Sequence, residues 1–254
     1  MEINRNVFKQ AVKDRKLQIG LWSSMCSNLS AEIIAHSGYD WILLDTEHSP
    51  NEIPGLMSQL QAMKGGTATP VVRAAWNDTV LIKRILDIGA QSILLPYVQN
   101  AEEAKRAVQA VRYPPNGVRG VAAGSRASNF GRINGYLTKA DAEICLLVQV
   151  ETRSALEQIE AIASVDGIDG VFIGPADLSA SLGYLGNIQH PEAQAAIKEA
   201  AARLAKVGKA AGILTGVEAE AKRYIEWGYN FVAVGTDTAI LRIAADNLLK
   251  SFKP

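Results

Sequence analysis

The chain contains little cysteine. Cys26 and Cys145 are its only two thiols, they lie far apart in the sequence, and neither has a second cysteine or a histidine at metal-ligand spacing. This pattern argues against a thiolate-held metal centre and against a disulfide framework. We therefore expect two unpaired thiols without a chemical role.

An excess of charge of either sign is also lacking. Lysine plus arginine and aspartate plus glutamate number 26 each, so the formal net charge is zero. A chain without net charge has no long-range electrostatic attraction to nucleic acid or to acidic lipid. We expect the partner to be a small molecule, with no nucleic acid and no membrane among the partners.

Long apolar runs are absent as well. No segment approaches the roughly 20 apolar residues that a membrane span requires, and residues 1–16 are charged throughout, without the apolar core of a signal peptide. A cytoplasmic location is the expectation. The length of 254 residues suits one large domain, 1–254, and the composition, 48% hydrophobic and 20% charged, is that of an ordinary globular protein.

The sequence does contain a regular alternation of short apolar runs with longer amphipathic segments. The run 41–44 is too uniformly apolar for a half-exposed strand and is typical of a buried parallel strand. Strands are predicted over residues 18–22, 41–45, 70–73, 92–98, 144–151, 170–174, 211–214 and 231–234. Helices are predicted over residues 30–37, 53–63, 80–88, 101–111, 191–207, 218–227 and 239–252, with a short extra helix over 133–140.

Eight such units favour a single-domain (β/α)8 TIM barrel, a fold that often has about 250 residues. An open doubly wound sheet is the alternative, but no Gly-x-Gly-x-x-Gly motif follows the first predicted strand. Residues 113–132 form a long loop rich in glycine, arginine and serine, and a loop of this length inside a compact domain usually has a function.

Polar residues stand where several predicted strands end, which is the active-site face of such barrels. Glu151 ends the fifth strand and Asp177 follows the sixth, so neighbouring strands about 5 Å apart bring the two carboxylates together. Two adjacent carboxylates must share a proton or bind a cation, and oxygen ligands suit Mg2+ or Mn2+. The alternative for either acid alone is a helix cap or a surface ion pair.

Two further residues at strand ends suit catalysis. His48 follows a fully apolar strand, where a base active at neutral pH could reach a substrate, although an ordinary loop histidine is the alternative. Arg73 ends the third strand, where a guanidinium suits a carboxylate or a developing oxyanion. Its alternative is a structural ion pair with Glu47 or Asp45. No lysine ends a strand, which argues against Schiff-base chemistry.

Four motifs together resemble the HpcH/HpaI aldolase family, and the resemblance runs over nearly the whole chain. They are Leu-Asp-Thr-Glu-His-Ser-Pro-Asn at 44–51, Arg-Tyr-Pro-Pro-Asn-Gly-Val-Arg-Gly at 112–120, Val-Gln-Val-Glu-Thr at 148–152 and Gly-Pro-Ala-Asp-Leu-Ser at 174–179. The resemblance implies a class II, pyruvate-specific lyase that depends on a divalent metal ion such as Mg2+, Mn2+ or Co2+. It also implies a homohexamer in which neighbouring subunits exchange their C-terminal helices.

The resemblance also implies roles for single residues. Glu151 and Asp177 would be the metal ligands, His48 the base and Arg73 the group that stabilises the transition state. Gln149, Ala176 and Asp177 would contact pyruvate. Asp87 matches a residue that raises the basicity of the histidine. The predicted topology instead puts Asp87 at a helix end on the opposite face of the barrel, so a helix-end or ion-pair role is the alternative unless it acts across a subunit contact.

Other functions remain open from the sequence. A lyase for coenzyme A thioesters would need basic residues near the site, and only Arg126 and Arg132 in the long loop are candidates. A phosphate-binding or non-catalytic barrel could use the glycines at 214–216 and 235–238, although Asp237 would repel a phosphate. For an aldolase, the acceptor stays open between succinic semialdehyde and tartronate semialdehyde.

Overall fold

Eight parallel strands pair in sequence order and close into a barrel, with β8 hydrogen-bonded to β1. The structure is a computed structural model that describes residues 1–253. The strands are β1 (Gln18–Ser23), β2 (Trp41–Asp45), β3 (Thr69–Arg73), β4 (Ser92–Leu95), β5 (Cys145–Val150), β6 (Gly170–Ile173), β7 (Ala210–Leu214) and β8 (Phe231–Thr236). The predicted TIM barrel is confirmed, and the open doubly wound sheet is wrong.

Helices surround the barrel and connect its strands. They are α1 (Val7–Lys13), α2 (Asn28–Ala35), α3 (Ile53–Ala62), α4 (Thr79–Asp87), α5 (Ala101–Val111), α6 (Tyr136–Glu143), α7 (Arg153–Glu157), α8 (Ile159–Ala163), α9 (Pro175–Ser181), α10 (Pro191–Lys206), α11 (Glu218–Glu226) and α12 (Asp237–Lys250), with a 3-10 turn at Arg126–Ser128. The helix predicted from residue 30 begins earlier, because the Ser27 hydroxyl accepts the amide of Ser30 and caps α2. The helices α1, α7, α8 and α9 were not predicted.

Alternate strand residues face two different cores. Outward-facing side chains such as Ile42 and Leu44 join the helices in one buried cluster, whereas Trp41 and Leu43 join a second cluster inside the barrel. Gly212 makes space for the inner cluster, because a Cβ there would collide with the ring of Phe231. The barrel interior is therefore filled, as a packed core and not a channel.

The helix α1 closes the barrel at the end where the strands begin. The ring of Phe8 lies 5.7 Å from that of Trp41 and 6.3 Å from that of Phe231, the first residues of β2 and β8. Val12, one helical turn later, is buried in the same cluster. Because this end is covered, the open end of the barrel is the one where the strands finish.

The helix α12 differs from the others in its exposure. Among its residues only Asp237 is buried, and five large apolar side chains stay about half exposed or more. These are Ile240, Leu241, Ile243, Leu248 and Leu249. Residues 1–253 leave this apolar face uncovered. Neither α12 nor any other helix of residues 1–253 has the length and hydropathy needed to cross a membrane.

Candidate active site

At the ends of β2, β3 and β5 the last inward-facing positions are polar, although the positions below them are apolar. Asp45, Arg73 and Gln149 each come two residues after an inner-core side chain, and Glu151 comes two residues after Gln149. All four are buried, with exposed fractions of 1%, 6%, 3% and 2% respectively. The barrel therefore has a buried polar layer directly above its apolar core.

Arg73 is held by two acids of the β2 end. Its Nε and Nη2 donate to the two carboxylate oxygens of Asp45 at 2.8 and 2.7 Å, and its Nη1 lies 2.6 Å from Oε2 of Glu47. The indole of Trp22 stacks 4.8 Å from the guanidinium and donates to Asp45. The ion pairs considered for Arg73 therefore exist, and they aim its guanidinium at the mouth of the barrel.

Burial and pairing act in opposite directions on these two acids. Burial raises the pKa of Asp45, but the hydrogen bonds and the charge of Arg73 outweigh it and hold that pKa below its usual range. Burial also raises the pKa of Glu47, against the charges of Arg73 and His48 and together with the charges of Asp45 and Asp177. For Glu47, burial therefore outweighs the charge of Arg73.

Glu151 has two neighbours that fix its carboxylate. The backbone N–H of Tyr97 donates to Oε1 at 2.8 Å, and Nε2 of Gln149 donates to Oε2 at 2.5 Å. Gly174 leaves space for this arrangement, since a Cβ there would lie 2.5 Å from Oε2. The pKa of Glu151 is raised to about 7, chiefly by burial and also by the charge of Glu47, although the hydrogen bond from Gln149 acts to lower it.

One cavity of about 580 Å³ connects most of the predicted residues. His48, Arg73, Gln149, Ala176 and Asp177 all line it. Glu151 lies beside it, bonded to Gln149. The His48 side chain is 69% exposed, with Nε2 3.9 Å from Oε1 of Glu47, so it projects from the rim of the cavity and is free to meet a substrate.

Asp87 is the predicted residue that does not join this group. It ends α4, and its Oδ1 accepts a hydrogen bond of 3.0 Å from Nη2 of the fully buried Arg119. It does not line the cavity, and in residues 1–253 it has no hydrogen bond or ion pair to His48. Within one chain Asp87 therefore has the ion-pair role considered above.

The residues present fit a divalent metal ion. The buried carboxylate of Glu151 packs against Gly174, the residue before α9, and Asp177 lies in the first turn of that helix. Oε1 of Gln149 is buried in the same layer without a hydrogen-bond partner. Residues 1–253 contain no cluster of three or more histidine, cysteine, aspartate or glutamate side chains suited to a metal. A metal here would therefore have two side-chain ligands, as suits an ion that keeps several waters.

Two of the charged residues considered for rival functions are used for other contacts, although Thr215 and Gly216 of the loop after β7 line the cavity. Asp237 is buried where a phosphate would bind, and its carboxylate accepts from the Ser23 hydroxyl at 2.9 Å and from the Ser24 amide at 2.9 Å. Arg126 donates to the backbone carbonyl of Ile88 at the end of α4. Neither Arg126 nor Arg132 lines the cavity. The geometry therefore favours a small polar substrate.

Some residues of the site were missed from the sequence. Trp22, which lies over the guanidinium of Arg73, was missed, although its inward position follows from the period-two alternation; Asp45 had been considered as an ion-pair partner of Arg73. Tyr97 contributes its backbone N–H and adopts a left-handed conformation with φ of +57°. No pattern of side chains in the sequence predicts either feature. Gly174 likewise could not be recognised from a side-chain pattern, because its contribution is the space that it leaves for the Glu151 carboxylate.

Comparison with known proteins agrees with this geometry. Residues 18–244 match the model of the family described as HpcH/HpaI aldolase/citrate lyase. The chain belongs to the HpcH/HpaI aldolase/citrate lyase family. This confirms the resemblance drawn from the four motifs. Membership makes the chain a carbon–carbon lyase of the aldolase type, and it implies a divalent metal ion as cofactor.

Relatives of this HpcH/HpaI family member match it almost from end to end. A 4-hydroxy-2-oxo-heptane-1,7-dioate aldolase of Klebsiella pneumoniae is 53% identical over 97% of this chain and 94% of its own. A pyruvate aldolase of Rhizobium etli is 54% identical over 99% of both chains. A crystal structure of a family member from Burkholderia cenocepacia, 39% identical, superposes with a TM-score of 0.95 over 98% of this chain and 100% of that one.

Proposed function

We propose that the chain is a metal-dependent class II aldolase that cleaves a 4-hydroxy-2-oxo acid into pyruvate and an aldehyde. The observation that carries this proposal is the buried Glu151 packed against Gly174 at the start of α9, next to the cavity that Asp177, Arg73 and His48 line. The names of the relatives from Klebsiella pneumoniae and Rhizobium etli support it. By the first name, the substrate is 4-hydroxy-2-oxoheptanedioate and the aldehyde is succinic semialdehyde. The alternative is 2-dehydro-3-deoxyglucarate, which yields tartronate semialdehyde.

Glu151 and Asp177 would hold the metal ion, which supplies a Lewis acid for the keto oxygen of the substrate. Mg2+, Mn2+ and Co2+ all suit these oxygen ligands. Gln149, Asp177 and the Ala176 segment bind the pyruvate portion. Arg73 faces the same cavity, where its guanidinium stabilises the negative oxygen that develops as the carbon–carbon bond breaks.

His48 would accept the proton of the C4 hydroxyl when the bond is cleaved and return it in the reverse reaction. Its exposure at the rim allows it to face the aldehyde end of the substrate. Asp87 would assist His48 only from a neighbouring subunit, because within one chain it pairs with Arg119.

Association into a homohexamer is part of the same proposal. The exposed apolar face of α12 needs a cover, and exchange of this helix between subunits would supply one. We expect such an assembly to act on its small-molecule substrate in the cytoplasm.

Exchange of pyruvate methyl protons in D2O tests the core of the proposal. The enzyme should catalyse this exchange without any aldehyde, because forming the pyruvate enolate needs only the metal site and a base. Treatment with EDTA should abolish it, and added Mg2+ or Mn2+ should restore it. Exchange that persists after complete chelation would contradict the metal-dependent mechanism.

A further inference from the structure

The cavity extends well beyond the predicted catalytic residues. Its lining includes His48, Arg73, Gln149 and Asp177, and also residues after β7 and before α10. We call this second part of the lining, in which Gln189 and Thr215 both bond to Glu220, the acceptor lobe, and define it by Asn187, Gln189, Thr215 and Glu220. A volume of about 580 Å³ is much larger than a three-carbon acid needs, so the lobe has space for a second reactant.

Glu220 is the one charged side chain of the acceptor lobe, and its neighbours hold it in place. The Thr215 hydroxyl donates to Oε2 at 2.6 Å, and Nε2 of Gln189 donates to Oε1 at 2.7 Å. Thr215 is itself buried and accepts from the Val217 amide at 3.2 Å. The position of the carboxylate is therefore set by the loop after β7 as well as by α11.

No cation neutralises Glu220 within residues 1–253, since it forms no ion pair there. Arg223, one turn later on α11, turns instead to the amide oxygens of Gln189 and Gln194, at 3.1 and 2.9 Å. Lys222 pairs with Glu218 on the outer surface. The acceptor lobe therefore holds a carboxylate that has no direct cationic partner among residues 1–253, and Arg223 reaches it only through the amide of Gln189.

This chemistry discriminates between ligands. Each oxygen of Glu220 accepts one hydrogen bond from the protein and keeps lone-pair capacity for a second donor. A ligand hydroxyl can supply that donor. A ligand carboxylate has no proton to donate, and in a partly buried lobe it meets a like charge that water screens only in part.

We infer that the acceptor lobe binds the tail of the aldehyde, and that Glu220 shifts the preference of the enzyme toward neutral hydroxyl-bearing tails and away from carboxylate-bearing ones. The inference rests on the proposed function and concerns how Glu220 ranks the possible aldehydes, including the carboxylate-bearing succinic and tartronate semialdehydes. It does not follow from the names of the relatives, one of which refers to a substrate with two carboxylates.

Two aldehydes that differ only at the tail test this inference. Glyceraldehyde ends in a CH2OH group where tartronate semialdehyde has a carboxylate, and kcat/KM for each is measured at saturating pyruvate and metal. In Glu220→Gln the ratio of glyceraldehyde to tartronate semialdehyde should fall about tenfold relative to the wild type, which corresponds to about 1.4 kcal/mol. The matched control Glu218→Gln, on the same helix but paired outward with Lys222, should leave the ratio unchanged.

A second variant keeps the test decisive if Glu220→Gln folds poorly. Gln189 is exposed, so Gln189→Lys should fold, and it places a cation beside Glu220, which should move the ratio in the same direction. An unchanged ratio in both variants, or an equal shift in Glu218→Gln, would overturn the inference. The wild-type exchange of pyruvate protons is measured in parallel. If the wild type exchanges pyruvate protons in an EDTA-sensitive way but the ratio of the two aldehydes does not change in the variants, only the role of the acceptor lobe is rejected. If the wild type shows no exchange, the aldolase proposal itself is rejected.

Discussion

At the scale of single residues, Arg73 connects the stability of the site to its chemistry. Asp45 fixes two of its nitrogens and Trp22 covers its face, so little conformational freedom remains to be lost when a substrate binds. A guanidinium that is already oriented stabilises a developing oxyanion more than a mobile one does. The buried ion pair and the proposed catalytic role are therefore compatible.

Replacement of Arg73 by alanine should lower kcat by about 100- to 1000-fold, the usual cost of losing one oxyanion donor. The KM for the 4-hydroxy-2-oxo acid should change far less, because the interaction strengthens in the transition state. Steady-state kinetics of retro-aldol cleavage would measure both values. Arg73→Lys keeps the charge without the bidentate geometry and should be intermediate. Arg106→Ala, on the surface of α5, is the control, and a change confined to KM in Arg73→Ala would contradict the role.

The pKa of Asp45 predicts a pH dependence of stability. Its folded pKa lies below the ordinary value of about 3.9. The ionised carboxylate therefore stabilises the fold above that value, and this stabilisation is lost as the pH falls through the folded pKa. Asp45→Asn should cost about 3 kcal/mol at pH 7, since it breaks a buried pair. Urea unfolding at several pH values should show the difference from the wild type shrinking toward acid; a constant difference would contradict the pairing.

At the scale of elements, the apolar runs predicted the strands well, because a buried parallel strand has no polar positions to confuse the pattern. The helix α9 was missed because its Gly-Pro start is typical of a loop, although proline also suits the first turn of a helix. The helix α1 was missed because only Phe8 and Val12 of its seven residues are buried and its flanks are charged. For the site, strand-end side chains were predictable, whereas the backbone donor at Tyr97 was not.

The helix α1 should contribute strongly to stability despite its shortness. Phe8 is 1% exposed and contacts two aromatic rings of the barrel floor, so Phe8→Ala would leave a cavity that the rigid strands cannot close. The expected loss is about 3–5 kcal/mol in the free energy of unfolding. Urea denaturation would measure it, with Val7→Ala as control because Val7 is 64% exposed on the same helix. A loss below about 1 kcal/mol would mean that the packing of α1 against this end of the barrel contributes little to stability.

At the scale of the whole molecule, the two ends of the barrel have different tasks. The end where the strands begin is closed by α1, and the end where they finish holds the buried polar layer and the cavity. This division allows strain such as the left-handed Tyr97 to be tolerated near the site, because the packed core and floor supply the stability. One surface, the exposed apolar face of α12, belongs to neither end, and the association proposed above would cover it.

Charged substitutions on α12 should therefore change the size of the assembly. Leu241→Glu combined with Leu248→Glu places two carboxylates seven residues apart on the exposed apolar face. In the wild type Leu241 is 56% exposed and Leu248 is 65% exposed. Light scattering after size exclusion should give about six chains of 27.3 kDa for the wild type and a smaller assembly for the double variant. Leu185→Glu is the control, because Leu185 is 84% exposed outside this helix.

The same double variant tests Asp87. If Asp87 assists His48 from a neighbouring subunit, the dissociated variant should also lose turnover. Its Mn2+ affinity should stay the same, because Glu151 and Asp177 of one chain set it. A smaller assembly with full turnover would confine Asp87 to its ion pair with Arg119.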